Sequence, residues 1–187
     1  MMERNNMRDK KVINRVVTGK VRFSYVNIFE PRAVDGEREK YSLSIIIPKS
    51  DEKTISEIKN AISLAEEKGL KKFGLSQIKK LRTPLRDGDV EKSGNGVYKN
   101  SYFINTKSII KPQVVDSNLN EINDKAKVYS GCYGRVSLSF YPYKFNDNEG
   151  IACSLGNVQK LCDGERLDFT TTAKDDFEIY DADKFFN

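Results

Sequence analysis

The sequence predicts a mainly β protein: a small antiparallel barrel of five to six strands, one helix and an acidic, disordered C-terminal tail. Three observations carry that prediction. Apolar residues alternate with polar ones at period two in several stretches, as half-buried strands do. Only one stretch carries a clear helical period. Clusters of Gly, Asp, Asn and Pro punctuate the chain between these stretches, as turns require. A single helix leaves no βαβ units to cover a parallel sheet, so antiparallel pairing is expected. Five strands with one helix are the usual make-up of an OB-type barrel.

Residues 1–13 are polar and charged without periodicity and read as a flexible N-terminal arm. In VVTGKVRFSYVNIFEP, Val17, Val21, Phe23 and Tyr25 share one parity, which predicts the core face. Lys20, Arg22 and Ser24 share the other. Asp35-Gly36 is the expected turn tip. A second alternation, KYSLSIIIP, sets Tyr41, Leu43, Ile45 and Ile47 inward and ends at Pro48. The period then switches. Ser50 or Asp51 can cap a helix carrying Ile55, Ile58, Ile62 and Ala65 on one face, ending near Gly69. A short helical turn is expected at 76–81, with Lys71, Lys72, Lys79 and Lys80 as solvated charges around it.

The stretch 82–98 is turn-rich, with Asp87-Gly88 as a hairpin signal. Strands are expected at 97–109, at an extended edge 112–116 and at 127–145, where Val136, Leu138 and Phe140 face the core. FNDNEG turns the chain into a last strand, IACSLGNVQKL, with Gly156 as its bulge. The expected organisation is an arm at 1–13, one binding domain at 14–166, and a linker with acidic tail at 167–187.

Composition narrows the chemistry. There is no histidine, and Cys132, Cys153 and Cys162 are too dispersed for a zinc motif, so they read as buried thiols. No phosphate loop, dinucleotide fingerprint or nucleophile–base pair is present. No catalytic residue, metal or cofactor is therefore expected. No apolar run is long enough to span a membrane, and the N-terminus lacks a secretory h-region. The expected location is cytoplasmic.

Charge is unevenly placed. Residues 175–187 hold five acids and one base, leaving 31 bases against 22 acids in residues 1–174. A basic body points to a polyanion. On the outward strand faces, cations are interleaved with rings: Lys20, Arg22, Phe103, Lys107, Tyr133, Arg135, Tyr141 and Tyr143. Unpaired bases stack on rings while lysine and arginine neutralise the phosphates between them. The expected ligand is single-stranded DNA, held without sequence preference. Two rivals stand beside this reading. One is a metal-dependent nuclease or resolvase built on Asp87, Asp89 and Asp116; the other is a structural protein that binds no nucleic acid.

The tail carries Asp175, Asp176, Phe177, Asp181, Asp183, Phe185 and Phe186. A tethered polyanion tipped with rings can occupy a basic groove when DNA is absent, because tethering raises its local concentration. When displaced, it can dock on a partner protein.

The segments TGKVRFSYVNIFEP, YSLSIIIPKSD, PLRDGD, KPQVVD, VYSGCYGRVSLSFYPY and GIACSLGNVQKLCDGE resemble, in that order, a phage family once known only as a domain of unknown function. The chain is similar to phage single-stranded-DNA-binding proteins with an OB fold and an acidic, phenylalanine-containing C-terminus. The resemblance covers roughly residues 14–165 and is most specific in GCYGRVSLSFYPY. It implies DNA binding during phage replication or recombination in the host cytoplasm, and contact of the tail with polymerase or helicase/primase. The chain departs from the pattern in ending on Asn187 rather than phenylalanine. A homodimer is compatible with the sequence and is not required by it.

Overall fold

The protein is described from a computed structural model covering residues 14–33, 36, 38–74, 82–146 and 148–167. The expected arm, the turn at 76–81 and the acidic tail lie outside the described residues.

The strands are β1 (Arg15–Val17), β2 (Val21–Arg32), β3 (Lys40–Pro48), β4 (Arg86–Asp87), β5 (Ser101–Ser108), β6 (Val114–Val115), β7 (Tyr133–Phe145) and β8 (Asn148–Cys162). Two helices accompany them, α1 (Glu52–Phe73) and the short α2 (Gly88–Glu91). Five strands close a ring: β2 pairs with β3, β3 with β5, β5 with β8, β8 with β7, and β7 with β2. All these pairs are antiparallel except β5–β8. An odd number of strands cannot alternate direction all the way round a closed ring, so one parallel pair is a consequence of closure. The expectation of purely antiparallel pairing fails there, and again at the edge pair β6–β8.

The barrel interior is filled by one face of every ring strand. Val21, Phe23 and Ile28 come from β2, Leu43, Ile45 and Ile47 from β3, and Ile104 from β5. Val136, Leu138 and Phe140 come from β7, and Ile151, Cys153, Leu155 and Val158 from β8. The parity read from the sequence for β3 and β7 is therefore the observed one. Burial pushes the Cys153 thiol well above its ordinary pKa, so it behaves as a small apolar side chain. Cys132 is buried as well, whereas Cys162 is exposed. On β8 the register slips between the pairs Val136–Val158 and Leu138–Leu155. Gly156 sits in that slip, where an added Cβ would lie 2.3 Å from the Ser137 hydroxyl. The bulge expected at Gly156 is present, and glycine is what fits it.

Helix α1 closes one side of the barrel by packing against β7, β1 and β8. Asp51 caps it by accepting from the Thr54 amide at 3.1 Å. Ile55, Ile58, Ala61, Ile62 and Ala65 are buried on its inner face. The helix does not stop near Gly69, which is buried within it. It runs on to Gly74, whose left-handed φ of 57° makes the cap. The helix joins the second and third strands of the ring, leaving the outer face of β3 and β5 to a different cover.

That cover is the segment 86–99. Asp87-Gly88 is not a hairpin tip here. Asp87 caps α2 through the Asp89 amide, and β4 pairs with β5. A 3-10 turn, Gly96–Tyr98, then lays Tyr98 on the sheet. Ile46, Tyr98 and Phe103 form a second small apolar cluster outside the barrel, joined by Val97 and Leu167.

Candidate nucleic-acid interface

Long parity on β7 puts Tyr133, Arg135, Tyr141 and Tyr143 on its outer face. Eight residues separate Tyr133 from Tyr141, about 26 Å along an extended strand. The expected site residues thus divide into two regions rather than one surface.

The first region gathers Lys20, Arg22, Tyr133 and Arg135. Lys20 Nζ lies 5.5 Å and Arg22 Cζ 5.6 Å from the centre of the Tyr133 ring. Arg22 donates to the Glu165 carbonyl at 2.9 Å and, over a longer 3.4 Å, to that of Gly131. Arg135 Nε donates to the Thr18 carbonyl at 3.0 Å. Both guanidinium groups are thereby tied to the protein's own backbone.

The second region is an open groove across β3, β5, β8 and the far half of β7. One part, a cavity of about 330 Å³, is lined by Tyr25, Ser42, Ser44, Lys92, Tyr98 and Lys107 among others. The other, about 540 Å³, is lined by Lys40, Ile109, Ile110, Tyr141, Tyr143 and Ser154 among others. Asn105 and Lys107 line both, so the two cavities adjoin. Neither is lined by a carboxylate among the described residues. Lys107 is exposed and has no hydrogen bond or ion pair among the described residues. Tyr141 is 48% exposed.

Two residues of the candidate site depart from the sequence reading, as does Val17 of β1, read as core but 47% exposed while Val16 turns inward. Tyr25, assigned by parity to the core, is 66% exposed and lines the groove. The register of β2 against β3 shifts between Ser24 and Asn27, and Tyr25 takes a left-handed φ of 48°. That bulge turns the ring outward. A left-handed tyrosine costs ~1–3 kcal/mol and persists only where its surroundings enforce it. Here the Asn27 carboxamide donates to the Tyr25 carbonyl at 3.2 Å and to Ser42 Oγ at 3.3 Å, fixing the bend. The SYVN stretch holds the one local hint, since Asn27 breaks the alternation.

Phe103, expected to stack on bases, is 1% exposed. Tyr98 packs against it edge-on at 5.3 Å, and the Arg86 guanidinium lies 4.8 Å from its ring centre. Parity gave the correct face of β5, but the segment 86–99 covers that face. Phe103 packs beneath the groove and offers no open ring to a base.

The carboxylates of the nuclease reading have other work. Lys49 Nζ lies 2.8 Å from Asp87 and 2.7 Å from Asp89, and its ammonium holds both carboxyl groups below the usual range. The same contacts raise the Lys49 pKa. Asp116 organises its own loop by accepting from the Asn118 and Asn120 amides and the Asn120 carboxamide. The last of these is the main reason that its pKa is lowered. Among the described residues, no group of three or more Asp, Glu, Cys or His is placed to hold a metal ion.

A closed five-stranded OB-type barrel, with an open outer face carrying lysines and tyrosines, is the class that fold and site define. Within that class, the chain belongs to the family of the Enterobacter phage Enc34 ssDNA-binding protein, whose family model matches residues 14–186. Protein p50 of Acyrthosiphon pisum secondary endosymbiont phage 1 is 32% identical over 162 residues, covering 81% of this chain and 85% of p50. The fold is similar to that of the bacteriophage Enc34 single-stranded DNA-binding protein in complex with ssDNA. That match has a TM-score of 0.73 at 22% identity, over 85% of this chain and 96% of the other. It is also similar to gp2.5, a single-stranded DNA binding protein encoded by bacteriophage T7. There the TM-score is 0.58 at 18% identity, covering 86% of this chain and 91% of gp2.5.

Proposed function

We propose that the chain binds single-stranded DNA without sequence preference, in the groove over β3, β5, β8 and the far half of β7. The observation that carries this is the groove's lining: Lys40, Lys92 and Lys107 with exposed tyrosines and no carboxylate. Lysines there neutralise phosphates, while Tyr25, Tyr141 and Tyr143 offer faces on which bases stack. A duplex keeps its bases stacked on each other and gains nothing from such rings. Lys20, Arg22, Tyr133 and Arg135, at the other end of β7, lie outside this groove. The protein acts on DNA intermediates of phage replication and recombination in the host cytoplasm. Among the described residues, no helix is long and apolar enough to cross a membrane.

The test is a salt titration of oligo(dT) binding. Affinity should fall with a log–log slope of about −0.7 per phosphate contact. A flat response rejects the groove.

The acidic tail is the second part of the proposal. Leu167, the last described residue, packs against Ile46, Tyr98 and Phe103, beside the groove. Asp175, Asp176, Asp181 and Asp183, with Phe177, Phe185 and Phe186, follow within twenty residues of that point. They compete weakly with DNA for the groove and, once displaced, recruit polymerase or helicase/primase. Removing residues 175–187 should tighten DNA binding, most at low salt. Unchanged or weaker binding rejects the competition.

A further inference from the structure

We infer that the cavity bounded by Tyr25 and Tyr98 seats one unpaired nucleobase, whose carbonyl edge is read by the Asn105 carboxamide. This rests on the single-strand reading above and adds a specific base site to it. The ring of Tyr25 projects over the cavity from a bulge pinned by Asn27, so it is held by sheet rather than by a loose loop. Tyr98, only 4% exposed, lines the same cavity.

Ser42, Ser44 and Asn105 line the same cavity. Ser44 Oγ donates to Asn105 Oδ1 at 2.8 Å. That bond uses the acceptor side of the carboxamide and leaves the Nδ2 hydrogens without a partner among the described residues. The cavity therefore presents unused donors beside a stacking face. Thymine, cytosine and guanine all answer with a carbonyl oxygen, and adenine accepts only through ring nitrogens, so the site favours a carbonyl edge without selecting one sequence. Lys92 and Lys107 line the same cavity and suit the phosphates on either side. A volume of about 330 Å³ is at the small end for a ligand site and suits a single nucleotide rather than a stack of several.

The experiment compares three oligomers of equal length by fluorescence anisotropy. They are oligo(dT), an abasic tetrahydrofuran oligomer, and one of 2,4-difluorotoluene nucleotides, which keep thymine's shape without its carbonyls. Tyr25→Ala should weaken oligo(dT) binding about 5- to 150-fold and leave abasic binding within about twofold of wild type. Tyr25→Phe should restore the wild-type pattern. Asn105→Leu should weaken oligo(dT) about fivefold while sparing the difluorotoluene oligomer. Equal losses on oligo(dT) and the difluorotoluene oligomer for Asn105→Leu, equal losses on oligo(dT) and the abasic oligomer for Tyr25→Ala, or no loss in either variant, overturn the base seat while leaving single-strand binding intact. Wild-type protein that binds none of the three overturns the single-strand reading itself.

Discussion

Tyr133 and Tyr141 stand on the outer face of the same strand, yet the two ends of β7 treat their neighbouring charges in opposite ways. Around Tyr133, Arg22 and Arg135 donate to the carbonyls of Gly131, Glu165 and Thr18, and Lys20 and Arg22 lie over the ring. Those cations hold the fold together. Around Tyr141 the groove carries Lys107 without a partner among the described residues, and the ring itself is half open. The same residue types therefore serve different ends. A cation whose donors are already satisfied must give up those bonds to take a phosphate, and an unpaired one gives up only water. Availability, more than composition, separates a binding face from a brace.

Substitutions can sharpen or break that comparison. The largest effect is expected at Phe103, which resembles the groove residues by type and the brace by burial. Phe103→Ala should destabilise the protein by about 3–5 kcal/mol in thermal or denaturant unfolding. A variant of unchanged stability with lost DNA affinity would show the ring to be accessible after all. Next, Arg22→Met keeps the stem and removes the carbonyl bonds. It should cost about 1–2 kcal/mol of stability, with less effect on DNA affinity than on folding. If affinity falls and stability does not, the Tyr133 end is a binding face too. The smallest effect is expected for Lys107→Gln. It should leave the melting temperature in place, weaken oligo(dT) binding a few-fold at low salt, and reduce the salt slope by about 0.7. A slope that stays the same would take Lys107 out of the phosphate path.

Much of the fold was legible because period-two and helical patterns are local. Val136, Leu138 and Phe140 read correctly as core, and Asp51 as a helix cap. Gly156 read correctly as a bulge. The helix end did not, because Gly69 looks like a stop but is buried within α1 while Gly74 takes the left-handed turn. Asp87-Gly88 matched a hairpin signal and proved to be the start of α2, with Lys49 arriving from the turn after β3 to bind Asp87 and Asp89. The exposed face of the candidate site was legible on β7, where the pleat runs unbroken through Pro142. It was misread at Tyr25, where one bulge reverses the face of a ring. It was misread again at Phe103, where parity names the correct face and is silent about what lies on top.

By itself the sequence determined a basic β protein with one amphipathic helix after the second long strand, because alternation and charge are written residue by residue. Tertiary structure decided that five strands close with a single parallel pair, that Tyr25 faces solvent, and that segment 86–99 covers Phe103 but leaves Asn105 and Lys107 open. Those outcomes depend on which distant strands pair and which segment reaches which face. Long-range pairing sets them, and no local period encodes it.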